Sequence, residues 1–213
     1  SIQNPKLGDI NGDGFDDLIF YNWGGNVELH LGSAIMDTIP DLVWQIIPQQ
    51  RYFHIPIAGV GDLNSDGYND WMIRISQDIY IFYGSMNPDT IPDILINPEP
   101  PCIGLRDYAV FGDINGDGFN DLIIGGYSGE SMTGQVLGYL GGSNFDNHFD
   151  YFFDSGIDQE KLGYILGVAD INNDSIFEVL GGAKQTNVSG QSWGPGRVWI
   201  LTTQELGSAP RTP

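Results

Sequence analysis

Short apolar stretches, separated by polar and glycine-rich turns, recur along the whole chain. In one representative part they cover residues 55–60, 71–75, 79–83 and 94–96. Runs of this length, rich in β-branched and aromatic residues, predict strands, and no segment of helical length has apolar residues at a spacing of 3.6. Several of the runs are apolar on both faces, as expected when sheets are stacked against each other. The pattern therefore predicts an all-β fold built from short strands.

One acidic segment occurs four times, and each copy lies at the same place within a group of strands. The copies begin at Asp9, Asp62, Asp113 and Asp170, which are 53, 51 and 57 residues apart. Four short strands in a unit of about 50 residues are typical of a β-propeller blade. We therefore predict a single propeller segment over residues 1–213, with four-stranded antiparallel blades at approximately 1–53, 54–106, 107–161 and 162–213.

The acidic segment carries oxygen-bearing side chains at alternate positions of a tight loop. In the first copy these are Asp9, Asn11 and Asp13, followed by Gly14 and later by Asp17. Calcium prefers six to eight oxygen ligands, and a glycine at positive φ lets the chain wrap around an ion. Asp-Gly and Asn-Gly pairs also mark ordinary β-turns. Four copies at one position favour metal binding, as does the repulsion that clustered carboxylates would suffer in a loop without an ion.

The predicted calcium ligands form four sets, each of four side chains and one backbone carbonyl. Three sites are expected to be complete and the fourth weaker, because Ser175 replaces the glycine and Glu178 replaces the last aspartate. An EF-hand or dockerin loop needs an acid at position 12, where this chain has Phe20, Ile73, Ile124 or Gly181. Magnesium is an alternative, but a flexible cage of protein oxygens favours calcium. The ligand sets are Asp9, Asn11, Asp13, Phe15 and Asp17; Asp62, Asn64, Asp66, Tyr68 and Asp70; Asp113, Asn115, Asp117, Phe119 and Asp121; and Asp170, Asn172, Asp174, Ile176 and Glu178.

These loops, with the glycine-ended third strand of each unit, resemble the FG-GAP repeats of integrin α-subunit propellers and their secreted bacterial relatives. The resemblance implies that each loop joins the first and second strands of a blade, and that the carbonyls of Phe15, Tyr68 and Phe119 are ligands. Propellers of this family usually close with seven blades, whereas this chain has about four, and its end blades are incomplete. The chain is therefore expected to be part of a longer propeller or of a homo-oligomer that completes one by sharing blades. A small closed four-bladed ring is the remaining alternative.

The charge balance narrows the range of partners. The chain has 28 acidic and 8 basic residues, for a net charge of −20. Such a surface repels phosphate backbones and anionic lipid headgroups, so we expect no nucleic-acid partner. No apolar run approaches the roughly 20 residues that span a bilayer, so no membrane insertion is expected. An extracellular or cell-surface location is predicted, because cytosolic calcium is too scarce to fill weak sites.

The preferred functional prediction is a secreted module for protein interaction or cell adhesion, in which calcium has a structural role. The alternative is a lectin-like propeller, or a non-catalytic module of a polysaccharide-degrading enzyme, with sugar contacts from Trp23, Tyr127 and Trp193 in loops between second and third strands. No enzymatic activity is predicted, because the three histidines lack metal-ligand spacing and no nucleophile motif is present. Acidic pairs are abundant, however, and leave a glycosidase-type pair open.

Overall fold

Residues 6–22, 25–35, 37–45, 57–97, 105–128, 133–157, 160–183 and 196–207 are described by the structure, a computed structural model. In these residues the chain forms fifteen strands and one short helix. The chain divides into two compact units, Ser1–Ile96 and Asn97–Pro213, and each contains two antiparallel sheets.

The first unit contains two four-stranded sheets in which sequential strands are neighbours. In both sheets the first strand ends in an irregularity of register, at Gly8 in one and Gly61 in the other. Both glycines have positive φ, which a residue with a Cβ rarely adopts. The strands are β1 (Lys6–Gly8), β2 (Asp17–Tyr21), β3 (Asn26–His30) and β4 (Leu42–Gln45), then β5 (Ile57–Gly61), β6 (Asp70–Ile75), β7 (Asp78–Phe82) and β8 (Ile94–Ile96).

The two sheets of the first unit pack face to face around aromatic side chains. The rings of Trp71 and Phe82 stack with centroids 3.9 Å apart, and Trp44 of the other sheet meets Trp71 edge-on at 5.6 Å. The two first strands also approach closely, since a Cβ at Gly59 would lie 2.5 Å from the carbonyl oxygen of Leu7. This packing explains why the strands are apolar on both faces.

The second unit contains a four-stranded and a three-stranded sheet, again with sequential neighbours. The backbones meet where glycines allow it, since a Cβ at Gly134 would lie only 1.9 Å from the backbone nitrogen of Leu162. The strands are β9 (Leu105–Gly112), β10 (Asp121–Ser128), β11 (Thr133–Tyr139) and β12 (Tyr151–Asp154), then β13 (Leu162–Ala169), β14 (Glu178–Ala183) and β15 (Arg197–Leu201), followed by helix α1 (Thr203–Leu206).

The predicted all-β fold of antiparallel propeller blades is confirmed. Two elements are not evident from the sequence. Strand β12 lacks the Asp-Thr-Ile-Pro-Asp motif that marks the entry to β4 and β8, and α1 has only four residues, too few to show helical periodicity.

Candidate metal-binding loops

Each acidic segment joins the first strand of a sheet to its second strand. The loops connect β1 to β2, β5 to β6, β9 to β10 and β13 to β14. The register irregularity before each of the first two loops ends the ladder and turns the chain out of the sheet. All four acidic segments therefore occupy equivalent positions in their sheets.

The first loop is organised around the carboxylate of Asp9. Its oxygens accept hydrogen bonds from the backbone N–H groups of Gly12 at 2.7 Å, Asp13 at 3.1 Å and Gly14 at 2.8 Å. The Asn11 side-chain oxygen accepts from the Asp13 N–H, and the Asp13 carboxylate accepts from the Phe15 N–H. These bonds hold three of the four predicted side-chain ligands of the loop in fixed orientations.

The same backbone conformation recurs in all four loops. The first aspartate accepts from the N–H of the sixth loop residue at 2.8–2.9 Å in every copy. The sixth residue has positive φ in each, between 73° and 93°. In the fourth loop that residue is Ser175, whose Cβ makes this conformation strained. The fourth loop thus keeps the conformation of the other loops despite local backbone strain at Ser175. The sixth residues are Gly14, Gly67, Gly118 and Ser175.

The ninth residue of the first three loops has a different environment from the other predicted ligands. Asp17, Asp70 and Asp121 are fully buried. Each carboxylate accepts one bond from the N–H of the second loop residue and one from the N–H of a glycine just beyond the third strand. For Asp70 these distances are 2.7 Å to Leu63 and 2.8 Å to Gly84. The ninth aspartate therefore ties its loop to the end of the third strand.

Burial disfavours the charged form of these aspartates. It raises the pKa of Asp70 to about 7 and that of Asp121 to about 6, against the lowering effect of the two N–H bonds. The other carboxylates of each loop raise these pKa values further. The pKa of Asp17 is raised for the same reasons. Burial and the neighbouring carboxylates therefore both disfavour the charged form of these three aspartates.

The fourth loop differs at its ninth residue. Glu178 keeps the bond from the second loop residue, the Ile171 N–H, at 3.0 Å, but its other oxygen accepts from the side-chain amide of Asn172 at 2.9 Å. In the other three loops the equivalent amide donates to the aspartate at position 5 instead. The longer glutamate side chain thus engages one of the predicted ligands.

The donor set in each loop consists of oxygens only. Within the described ranges, no three Asp, Glu, His or Cys side chains lie close enough together to hold a metal ion by themselves. A cation would therefore need the asparagine oxygen and backbone carbonyls beside the carboxylates at positions 1 and 5. Carboxylate oxygens that accept one N–H bond retain further lone pairs, and an all-oxygen set fits a hard cation such as calcium.

Within each unit, the later loop contacts the earlier one. The backbone and side-chain N–H groups of Asn69 donate to the carbonyl oxygen of Asp9 at 3.2 and 3.1 Å. The Tyr68 ring covers Gly12, where a Cβ would lie 2.8 Å from the ring. In the second unit, the Phe177 N–H donates to the Asp113 carbonyl at 2.8 Å. Sequence reasoning treated Tyr68 only as a carbonyl ligand and missed the contact that its ring makes.

A second set of aspartates fixes the turns between third and fourth strands. The carboxylate of Asp41 accepts from the Leu31 N–H at 2.8 Å, and that of Asp93 accepts from the Tyr83 N–H at 2.7 Å. Asp150 accepts from the Leu140 N–H at 2.9 Å in the third sheet, where the Thr-Ile-Pro of the motif is absent. The spacing of two aspartates four residues apart, which Asp146 and Asp150 retain, would have located this turn and the strand β12 after it.

The aromatic residues of the sugar-binding alternative give no described site. Trp23 and Trp193 lie outside the described residues. The placement of Tyr127 in a loop is wrong, because Tyr127 lies within β10 and pairs with Gly134 of β11. Long strands extend this hairpin beyond the point where the sequence predicts its loop to begin. Sugar binding stays a prediction.

Comparisons with known proteins agree with the blade architecture. Residues 109–139, which include the third loop, match the model of the FG-GAP repeat family. The chain is similar to integrin alpha-PS2 of Drosophila melanogaster, with 27% identity over 155 residues, covering 58% of this chain and 11% of that protein. It is also 27% identical to integrin alpha-5 of Xenopus laevis over 146 residues, covering 56% of this chain and 14% of that protein. The chain thus spans only a small part of the length of the integrins that it matches.

Solved structures show the same fold at low identity. The crystal structure of BBS1N in complex with ARL6DN, soaked with lead, has a TM-score of 0.55 and 11% identity, covering 99% of this chain and 56% of that chain. The mercury-soaked crystal of the same complex gives a TM-score of 0.51. In the described part of this chain, no helix has the length and apolar character required to cross a membrane.

Proposed function

We propose that this chain is part of an extracellular, calcium-binding β-propeller that mediates protein interaction or adhesion, with calcium stabilising its acidic loops. The observation that carries the proposal is the common architecture of the four loops, which share a positive φ at the sixth residue and a hydrogen bond from its N–H to the first aspartate. The similarity to integrin α subunits supports the interaction role. Further blades, from a longer chain or from a second copy, would complete the propeller.

In the first loop, Asp9, Asn11 and Asp13 would hold the ion together with the Phe15 carbonyl, and the buried Asp17, also predicted as a ligand, anchors the loop to the end of the third strand. Bound calcium would supply the positive charge that offsets the repulsion among these carboxylates. The backbone bonds to Asp9 orient its oxygens, which lowers the ordering cost of binding an ion. Because Ser175 adopts a strained positive φ and Glu178 is one methylene longer than aspartate, the fourth loop is expected to bind more weakly than the others.

An extracellular setting follows from the affinity expected of such sites. Each loop is exposed and has carboxylates at positions 1 and 5. We expect such a site to bind calcium with the affinity typical of extracellular modules, a Kd of about 10⁻⁴ M. At about 1 mM free calcium, each filled site of this class would stabilise the fold by about 1.4 kcal/mol. Three sites would then contribute about 4 kcal/mol, which is substantial against a typical stability of ~5–15 kcal/mol.

The test is thermal unfolding of the full chain in calcium and in EGTA. We expect the unfolding temperature to be roughly 10 °C higher in calcium, from about 2–4 °C per kcal/mol in a chain of this size. The triple variant Asp13→Asn, Asp66→Asn, Asp117→Asn should lose most of this difference. Asp16→Asn is the control for the Asp13→Asn part of this variant, because it removes one charge from the first loop at a position without a predicted ligand role. An unfolding temperature of the wild-type chain that is the same in calcium and in EGTA would contradict the proposal.

A further inference from the structure

Two turns of the first unit expose isoleucine side chains. Residues 37–41 and 89–93 share the sequence Asp-Thr-Ile-Pro-Asp and connect the third strand of each sheet to the fourth. Ile39 and Ile91 are 72% and 69% exposed. We call these two segments the isoleucine turns. An isoleucine side chain that stays exposed adds little to folding, whereas burying it against a partner would stabilise the complex.

The corresponding turn of the third sheet shows that a turn of this kind forms without an isoleucine. That turn has the same bond from the third residue to the first aspartate, with the His148 N–H donating to Asp146 at 2.8 Å as the Ile39 N–H donates to Asp37. His148 thus occupies the place of isoleucine, and the large apolar residue just before that turn, Phe145, is buried. The aspartate side chains and backbone N–H groups build the turn, and the isoleucine side chain makes none of these bonds.

A small pocket lies at the first isoleucine turn. Its volume is about 150 Å³, and its lining includes Ile35, Asp37, Ile39 and Asp41. Pockets for small-molecule ligands usually measure about 300–1,000 Å³. This pocket is smaller than that range, and its walls combine apolar and acidic groups.

Charge around the turns identifies the kind of partner. Antiparallel pairing brings the acidic loops and the isoleucine turns to the same edge of their sheets, and the Ser85 N–H, near the second turn, donates to the Ile10 carbonyl of the first loop at 2.9 Å. The loops and turns at this edge contain eleven of the thirteen acidic residues of this unit and none of its lysines or arginines, and they are residues 9–17, 31–41, 62–70 and 84–93. Two bound divalent cations would still leave seven negative charges there. Complementary charge on a partner would steer association to this edge.

We propose that the isoleucine turns form a docking surface for a lysine- or arginine-rich segment of a partner protein that also carries apolar side chains. The apolar side chains of that segment cover Ile39 and Ile91, and its cations face the aspartates of the same turns. This inference rests on the proposed interaction function and specifies the surface and the chemistry of the partner.

The test uses the full chain in calcium buffer and short fluorescein-labelled peptides, with binding measured by fluorescence anisotropy. The probe peptide alternates lysine with leucine, and the comparison peptides alternate lysine with serine and glutamate with leucine. The double variant Ile39→Ser, Ile91→Ser removes both apolar contacts. Val198→Ser is the matched control, because Val198 is 73% exposed but lies in β15 of the other unit.

We expect the wild-type chain and Val198→Ser to bind the lysine–leucine peptide, and the double variant to bind it at least about tenfold more weakly. The comparison peptides should bind more weakly than the lysine–leucine peptide. The proposal is overturned if the wild-type chain does not bind that peptide, if the lysine–serine peptide binds equally well, or if the double variant binds normally. Unfolding temperatures in calcium and in EGTA are recorded for the same proteins. If the unfolding temperature of the wild-type chain is the same in calcium and in EGTA, but the double variant no longer binds the peptide, the result contradicts calcium binding and supports the docking surface.

Discussion

Individual aspartates that look alike in the sequence have different roles in the structure. The alternating pattern predicts Asp9, Asp13 and Asp17 as equivalent ligands, but Asp17 is buried and joined to Gly32, fifteen residues away. No local pattern shows this, because the partner lies just beyond the third strand. The sequence does carry one signal of this contact, because a glycine follows the third strand in each of the first three blades. At Gly84 a Cβ would lie 2.4 Å from the carbonyl oxygen of Asn69.

Replacing Gly84 by alanine should destabilise the first unit. The added Cβ meets backbone rather than a movable side chain, and the shift would weaken the bond from Gly84 to the buried Asp70 carboxylate. We expect the free energy of unfolding to fall by about 2–4 kcal/mol, from overpacking and a weakened bond to a charged group. Chemical denaturation in EGTA measures the change without a contribution from metal.

Gly167→Ala is the control for this substitution. A Cβ at Gly167 would have its nearest neighbour, the Leu180 Cβ, at 4.0 Å, which is ordinary contact. Its effect should stay below about 1 kcal/mol. If both alanine variants are equally stable, the close approach at Gly84 does not constrain the fold.

At the scale of strands and loops, the sequence predicts most of the architecture because turns and apolar runs alternate clearly. Strands β2, β6, β10 and β14 each begin at the ninth residue of an acidic loop. The contacts between loops could not be predicted, because they depend on how neighbouring sheets pack. Tyr68 is an example, since its ring covers Gly12 of another sheet.

Removing the Tyr68 ring should loosen the first loop, although Tyr68 lies more than fifty residues after Gly12 in the sequence. In Tyr68→Ala, Gly12 and the N–H groups that bond to Asp9 become more open to solvent. We expect faster hydrogen exchange in peptides covering residues 9–14, because exchange of surface loops follows local opening.

Phe119→Ala gives the comparison, because Phe119 is the seventh residue of the third loop and its ring lies against Gly142. It should leave exchange in residues 9–14 at the wild-type rate. Unchanged exchange in Tyr68→Ala would mean that the first loop holds its conformation without the contact from its neighbour.

At the scale of the whole chain, the acidic residues are concentrated in particular loops and turns, so they do more than make the surface soluble. The four acidic loops and the three turns that follow third strands contain 19 of the 28 acidic residues and none of the eight lysines and arginines. These segments are residues 9–17, 31–41, 62–70, 84–93, 113–121, 140–150 and 170–178. The sequence predicts this segregation once the repeats are aligned. It could not predict that four of the nineteen, Asp17, Asp70, Asp121 and Glu178, are buried.

Such segregated charge should make the stability of the metal-free chain depend on salt. Like charges at the loop edges repel each other in the folded state, and added salt screens exposed charges over a Debye length of about 10 Å at 0.1 M. In EGTA, we expect the unfolding temperature to rise as sodium chloride increases from about 0.01 to 0.3 M. In calcium the rise should be smaller, since bound ions would already offset part of the repulsion. An unfolding temperature in EGTA that stays constant or falls with salt would mean that the loop carboxylates are separated widely enough not to strain the fold, and would remove the electrostatic reason for a cation in these loops.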